Sequence, residues 1–482
     1  MLRKNNFILL SIFFLSLLPA VLSAKTVLDY TIVLNTKILD ITIRVSLNDA
    51  IWREKMKEEG SDKSVCFEYD SKSARNFWAK GPLYNNLKVK KEKNKRLCVV
   101  PNGNTFTFGY KVPVSLYKGA VYSEESSPLN IAVNDSIIVF GKNTFLIPSY
   151  RDEQINPLLY LTVRRNNFKK LVSSIWLKNE RAEINSPDDL LTIVLMAGDI
   201  SIKNEKIEKK TYVISTSGSW KKGLQGKIIK EYKAIAQKQL SMWGFLPANF
   251  ILTCFIRSKE VKRGFGFQYG NTIIYILPDK LDLNDPELLN LLAHEHFHIW
   301  NGSYYSSKEG AQNIEWFHEG LTNYYALISV VSAGLISEDD FLKYLSANYL
   351  KYDSSYNPAE AKKQKLLRDT FIVMAIEIEI IKASSSKKNL DSLIKNISRN
   401  SLEWTKGYDN QLIKTELVKI ANWDISDFFD NYISSPAKLS MEPYFAYLGL
   451  KQSSDLVLQK YKETKQYKKF LRQKVSRKKG AR

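Results

Sequence analysis

Leu291-Leu292-Ala293-His294-Glu295-His296-Phe297-His298-Ile299-Trp300 is the stretch on which the reading of this chain turns. It contains His-Glu-x-x-His, as His294, Glu295 and His298. Residues four apart on a helix share one face, so two neutral imidazoles can grip one zinc ion. Glu295, one step round, can reach a water in an open coordination position and take its proton. All four histidines of the chain, His294, His296, His298 and His318, fall within 25 residues. That clustering is hard to reconcile with a surface helix carrying incidental histidines.

The flanks predict the helix that the motif needs. Asn284-Asp285-Pro286-Glu287 opens it: Asn or Asp caps, Pro suits the first turn, and Glu favours the positive helix end. The helix is expected to run to Asn301, where Gly302 can stop it. A catalytic zinc needs a third ligand. Glu319 is the candidate, 21 residues after His298 in Glu315-Trp316-Phe317-His318-Glu319-Gly320-Leu321-Thr322-Asn323-Tyr324-Tyr325. A second helix is expected over 314–332, and a short connection can bring the two together. Asn323 falls on the metal-facing side of it, where a hydrogen bond to a ligand histidine and a packing role both fit. His296 projects elsewhere and is not needed as a ligand.

The 482 residues, 44% hydrophobic and 25% charged, suffice for several domains with real cores. Wholesale disorder, a disulfide miniprotein and a polytopic membrane protein are excluded. Arg3 and Lys4, an apolar run over Phe7–Leu18, Pro19, and small residues at Ala20, Ser23 and Ala24 read as an export signal over 1–24. The expected location is therefore outside the cytoplasm, periplasmic or secreted, with membrane association as a further option. Net charge is +21, and Lys460–Arg482 holds eleven basic residues against Glu463 alone. Such a tail is expected to stay solvated and to suit an anionic membrane or envelope surface; no nucleic-acid motif accompanies it. Cys66 and Cys98 can pair in an oxidising compartment, and Cys254 reads as a buried thiol.

Alternation of period two marks the N-terminal third: Leu39, Ile41, Ile43, Val45 and Leu47, then Phe106, Phe108, Tyr110, Val112 and Val114. Residues 25–185 therefore read as an antiparallel β-domain. Leu224–Met242 has helical spacing, strands are expected at 250–256 and 272–277, and from Ser337 onward the pattern is mostly helical.

These residues resemble the gluzincin metallopeptidases, and among them the glycyl aminopeptidase family whose members often carry a PDZ domain. His294–Asn301 is similar to that family's HEYFHxWN run, and Trp316–Tyr325 to its WxxEGxTxYY run. Looser likenesses lie at Ser186–Gly198, Trp243–Pro247 and Asn422–Leu450.

The resemblance implies an α+β multidomain architecture: an N-terminal antiparallel β-domain (25–185), a thermolysin-like zinc catalytic domain (186–335) and a C-terminal helical domain (336–450). A basic tail (451–482) would stand in place of the PDZ domain. It implies one zinc per chain on His294, His298 and Glu319, Glu295 as base, and a peptide or protein substrate. It also assigns substrate contacts to Gly266 and Gln268, in Phe265-Gly266-Phe267-Gln268-Tyr269. There the chain departs from the family, which has a Glu for the substrate's free amine; a neutral amide pairs less well with an ammonium. A second departure is the family's oxyanion tyrosine, replaced within Leu366–Asp369, with Tyr352 and Tyr356 as candidate stand-ins. The alternative reading is a zinc-bound, catalytically weak relative acting as an envelope binding module.

Overall fold

The computed structural model describes residues 25–472, apart from 48–63, 69–73, 84, 93–94, 118–128, 150–156, 303–313, 356–364, 401–406, 422–423, 436, 454–456 and 463. The proposed export signal, Tyr356 and the last ten residues lie outside the described residues.

The chain divides into two compact units, Met1–Ile200 and Ser201–Arg482. The first is built on β-sheets, as the alternation predicts. In Ile38–Ser46, Leu39, Ile41, Ile43 and Val45 all point into one core. That strand pairs antiparallel with Val27–Val33 and with Thr105–Pro113 inside a seven-stranded sheet. One expectation is corrected. Val27–Val33 pairs in parallel with Leu158–Arg164, so the sheet is mixed. More than a hundred residues separate these strands, ample for the crossover that parallel pairing needs. Cys66 and Cys98 are register partners on adjacent antiparallel strands and form a disulfide. The first unit also extends past residue 185: Val194–Gly198 hydrogen-bonds between Ser136–Phe140 and Lys170–Ser173 and belongs to its second sheet.

The second unit opens with a five-stranded sheet in the order Ile200–Ile207, Lys210–Ser217, Phe250–Ser258, Thr272–Pro278, Phe265–Tyr269. The middle pairings are parallel, and all nine residues of Phe250–Ser258 are buried. This is the continuous apolar run expected of a central strand covered on both faces, and it buries the Cys254 thiol. The edge strand Phe265–Tyr269 returns antiparallel to Thr272–Pro278. Helix Leu224–Trp243 ends at Gly244 in the left-handed region, φ 77°, as its glycine predicts.

The motif helix, Pro286–Phe297, starts as the sequence reads: the Asp285 side chain caps it by accepting from the Glu287 amide at 2.9 Å. It stops earlier than expected, at Phe297, and single turns carry the chain to Asn301. The next helix, Glu315–Ser332, packs against both the motif helix and Lys365–Ala383. Gly320 permits the second contact, since a Cβ there would lie 2.5 Å from the Asp369 carbonyl oxygen. The sheet and the helices share one hydrophobic core, so the expected division at 335/336 does not separate compact bodies. The basic tail is corrected too. Leu450–Gln452 pairs with Leu458–Lys460, and helix Lys465–Arg472 buries Tyr467, Phe470 and Leu471 in that core. Three apolar side chains spaced at i, i+3 and i+4 give this basic segment a face to fold on.

Candidate metal centre

The turn from His294 to His298 closes through the His298 amide, which donates to the His294 carbonyl at 3.3 Å. Both rings therefore lie on one side of the motif helix, their Nε2 atoms 3.1 Å apart. Glu319 reaches them from the following helix, with Oε2 3.4 Å from His294 Nε2 and 3.8 Å from His298 Nε2. Ligands at about 2.0–2.1 Å from a tetrahedral zinc stand about 3.3–3.4 Å from each other. The three observed separations bracket that value, and the donor set is the two-His, one-carboxylate type that catalytic zinc takes. The residues present fit the ion.

The protonation tendencies show how charge is shared within the cluster. Burial opposes charge on Glu319, but the His294 and His298 rings outweigh it and hold the carboxyl down at about 2. Burial likewise opposes charge on His294, but the Glu319 and Glu295 carboxylates outweigh it and raise that ring above its ordinary value. Burial, with His294 next to it, pushes His298 down to about 3 and keeps it neutral. The cluster thus pairs an ionised Glu319 with His294, while His298 beside them is neutral.

His298 is oriented by its other nitrogen, Nδ1, which donates to the Asn301 carbonyl at 2.8 Å; the Nε2 lone pair is left toward Glu319. Asn301 is in turn pinned. Its Nδ2 donates to the His318 carbonyl at 2.7 Å and to Thr322 Oγ1 at 3.1 Å, while Oδ1 accepts from the Tyr408 hydroxyl at 3.1 Å. His294 is supported by Asn323, whose Oδ1 accepts from Asn290 and whose Nδ2 donates to Thr370 Oγ1, both at 2.8 Å. Asn323 thus stands beside His294, held in place by Asn290 and Thr370. His318 lies on the far oxygen of Glu319, Nε2 to Oε1 3.6 Å.

Glu295 is buried in the wall of a cleft of about 710 Å³. Burial first, and Glu319 further, push its carboxyl up to about 7, with His294 pulling the other way. The edge strand touches it directly: a Cβ at Gly266 would lie 2.5 Å from Glu295 Cγ. Gly266 lines the cleft. Gln268 does not; its side-chain amide donates to the Gly270 carbonyl in its own hairpin. Tyr352 is corrected as an oxyanion donor, because it is fully buried and accepts from the Leu439 amide at 2.8 Å. His296 packs behind the helix. Gln239 Nε2 donates to the Ala293 carbonyl, leaving Oε1 to accept from His296 Nδ1 at 2.6 Å, and Tyr212 then donates to His296 Nε2.

Sequence reasoning missed the support shell of Asn301, Thr322, Tyr408 and Asn290. Asn301 carried a signal, as the last letter of the family-like run after His298; Tyr408 carried none.

Comparison with known proteins follows the same line. Residues 287–392, which hold both helices of the site, match the M61 glycyl aminopeptidase family. The aminopeptidase N family protein of Idiomarina loihiensis has a similar fold, with a TM-score of 0.70 at 15% identity over 88% of this chain and 78% of that one. The M1 zinc metallopeptidase of Deinococcus radiodurans gives 0.50 at 9% identity over 86% of this chain and 96% of that one. A two-domain M1 zinc metallopeptidase with bound L-tryptophan gives 0.51 at 10% identity and the same coverage. No curated protein sequence matches the chain significantly. The chain therefore resembles the gluzincins, the M61 glycyl aminopeptidases in particular, in a mixed α/β fold similar to two-domain aminopeptidases.

Proposed function

We propose that this protein is an exported zinc metallopeptidase that hydrolyses peptide bonds, with a thermolysin-like catalytic region and one zinc on His294, His298 and Glu319. The observation that carries the reading is the convergence of three donor atoms at 3.1–3.8 Å beside a buried carboxyl on an open cleft. Zinc bound there would supply Lewis-acid polarisation of a carbonyl oxygen and of a water.

The remaining work falls to the chain. Glu295 stands in the cleft wall where an attacking water must lie. As a carboxylate it takes the proton from that water as the oxygen adds to the scissile carbonyl. As a carboxylic acid it returns the proton to the leaving nitrogen when the C–N bond breaks. A pKa raised by burial suits both halves of this shuttle. The hydrogen bond from His298 to Asn301 keeps that ring in one tautomer.

The substrate is a peptide. Gln268 is absent from the lining of the cleft and carries no charge to pair with a free amine, so cleavage need not be confined to the first residue. That same observation favours the second reading, a zinc-bound but catalytically weak relative. Hydrolysis of a peptide mixture by wild type and Glu295→Gln, with zinc measured in both, decides between them. Hydrolysis by wild type alone supports the peptidase, whereas two equally inert, zinc-loaded proteins leave the binding module.

A further inference from the structure

The cleft extends well beyond the metal-binding atoms. Its wall takes one face of the motif helix, from Glu287 through Leu288, Leu291 and His294 to Glu295. At about 1.5 Å rise per residue this face is about 12 Å long, the span of three to four residues of an extended peptide. Helices Glu338–Ser355 and Lys365–Ala383 also line the cleft, contributing Tyr344 and Leu367.

We infer that the part of this cleft one helical turn from Glu295 is a side-chain subsite for a large apolar residue of the substrate peptide. The inference rests on the metallopeptidase reading for its substrate class. Leu291 precedes Glu295 by four residues, so on a helix it stands directly beside it along the same face. It is half-buried, as are Phe265, Leu281, Tyr344 and Leu367, while Leu288 is buried beneath. These six side chains give the cleft apolar surface that a peptide side chain can cover.

Two glycines let the segment at the edge strand approach this helix face closely. A Cβ at Gly264 would lie 3.3 Å from Leu291 Cδ2, and one at Gly266 would lie 2.5 Å from Glu295 Cγ. The chain thus runs past Leu291 and Glu295 in turn with bare backbone against each. Among the charged groups of the lining, Lys262, Arg263, Lys280, Asp282, Glu287 and Lys351 are all exposed to solvent, whereas the six apolar side chains are half-buried or buried. Arg263 pairs with Glu287 at 3.1 Å, and Asp285 caps the helix. A charged substrate side chain placed against Leu291 and Leu367 would lose water without gaining a partner. Leu or Phe would lose only apolar surface to water.

The test uses the full zinc-loaded protein and peptides varied to Gly, Leu, Phe, Lys or Asp at each of three positions on either side of the cleaved bond. At one position, kcat/KM for Leu and Phe should exceed that for Gly, Lys and Asp by about tenfold or more. Leu291→Ala and Leu367→Ala should each shrink the Phe-to-Gly ratio. Calorimetric binding of the same peptides to zinc-loaded Glu295→Gln should show the same order of affinity without turnover. A preference for Gly or a charged residue at every position overturns the inference, as does a Phe-to-Gly ratio unmoved in both variants. If no peptide is cleaved yet binding still favours Leu and Phe, the hydrolase reading fails and the subsite stands.

Discussion

The Nδ1 of His298 donates to the backbone carbonyl of Asn301, three residues further on, at 2.8 Å. This short bond couples a metal-binding ring to the chain that leaves the motif helix. The Asn301 side chain then ties the same segment to the first turns of the Glu319 helix and to Tyr408. The distance between His298 and Glu319 is thus governed through one buried amide.

Asn301→Ala removes four side-chain hydrogen bonds, to the Phe317 and His318 carbonyls, Thr322 and Tyr408, from a fully buried position. Zinc affinity, measured by chelator competition, should fall by about 10–100-fold, the usual effect of losing such a support. Tyr408→Phe leaves Asn301 Oδ1 unpaired and should cost about 1–3 kcal/mol of stability in urea unfolding.

Glu295→Gln keeps the shape of the site but cannot carry a proton. Zinc content should stay at one per chain while peptide hydrolysis drops by about 10²–10⁴. Glu319→Gln should instead show reduced zinc by elemental analysis, because it removes the charge that draws the ion.

Gly320→Ala would place a methyl 2.5 Å from the Asp369 carbonyl oxygen, a backbone atom that cannot swing away. The helices must separate, at about 1–3 kcal/mol. A lowered Tm together with weakened zinc binding is expected, since Glu319 is the preceding residue.

Asp369 is fully buried beside Arg368, with Oδ1 at 3.2 Å from the guanidinium. Burial nonetheless dominates and raises its carboxyl to about 7, Arg368 offsetting only part. In the unfolded chain the group titrates near 3.9. The folded state therefore holds more protons between about pH 4 and pH 7, and stability must fall as pH rises through that window. The loss is on the order of 2–4 kcal/mol. Asp369→Asn should flatten this slope, making the variant relatively more stable at pH 8 than at pH 5 in denaturant titrations.

Reduction of Cys66–Cys98, which closes a separation of 32 residues, should destabilise the first unit by about 3–4 kcal/mol on the chain-entropy account. Urea unfolding with and without reductant measures it.

Much of this was legible from residue types and spacing. His294 and His298 share a helix face because the turn is local, and Asp285-Pro286-Glu287 starts that helix by chemistry confined to a few residues. The alternation in Leu39–Val45 names its own buried face, and the apolar run at 250–256 names a central strand. Glu319 was found from the requirement for a third ligand.

What the sequence by itself determined is set by interactions within a helical turn or a strand: the paired imidazoles, the acid between them, the caps, the alternating core. The tertiary structure alone decided that Glu319 arrives within 3.4 Å of His294, that Tyr408 holds Asn301 across 107 residues, that Gln268 turns into its own hairpin, and that a basic C-terminal segment buries Tyr467 and Phe470. Each of these depends on packing between elements far apart in the chain. A local pattern shows which side chains must be buried or bonded, but not which distant partner will meet them.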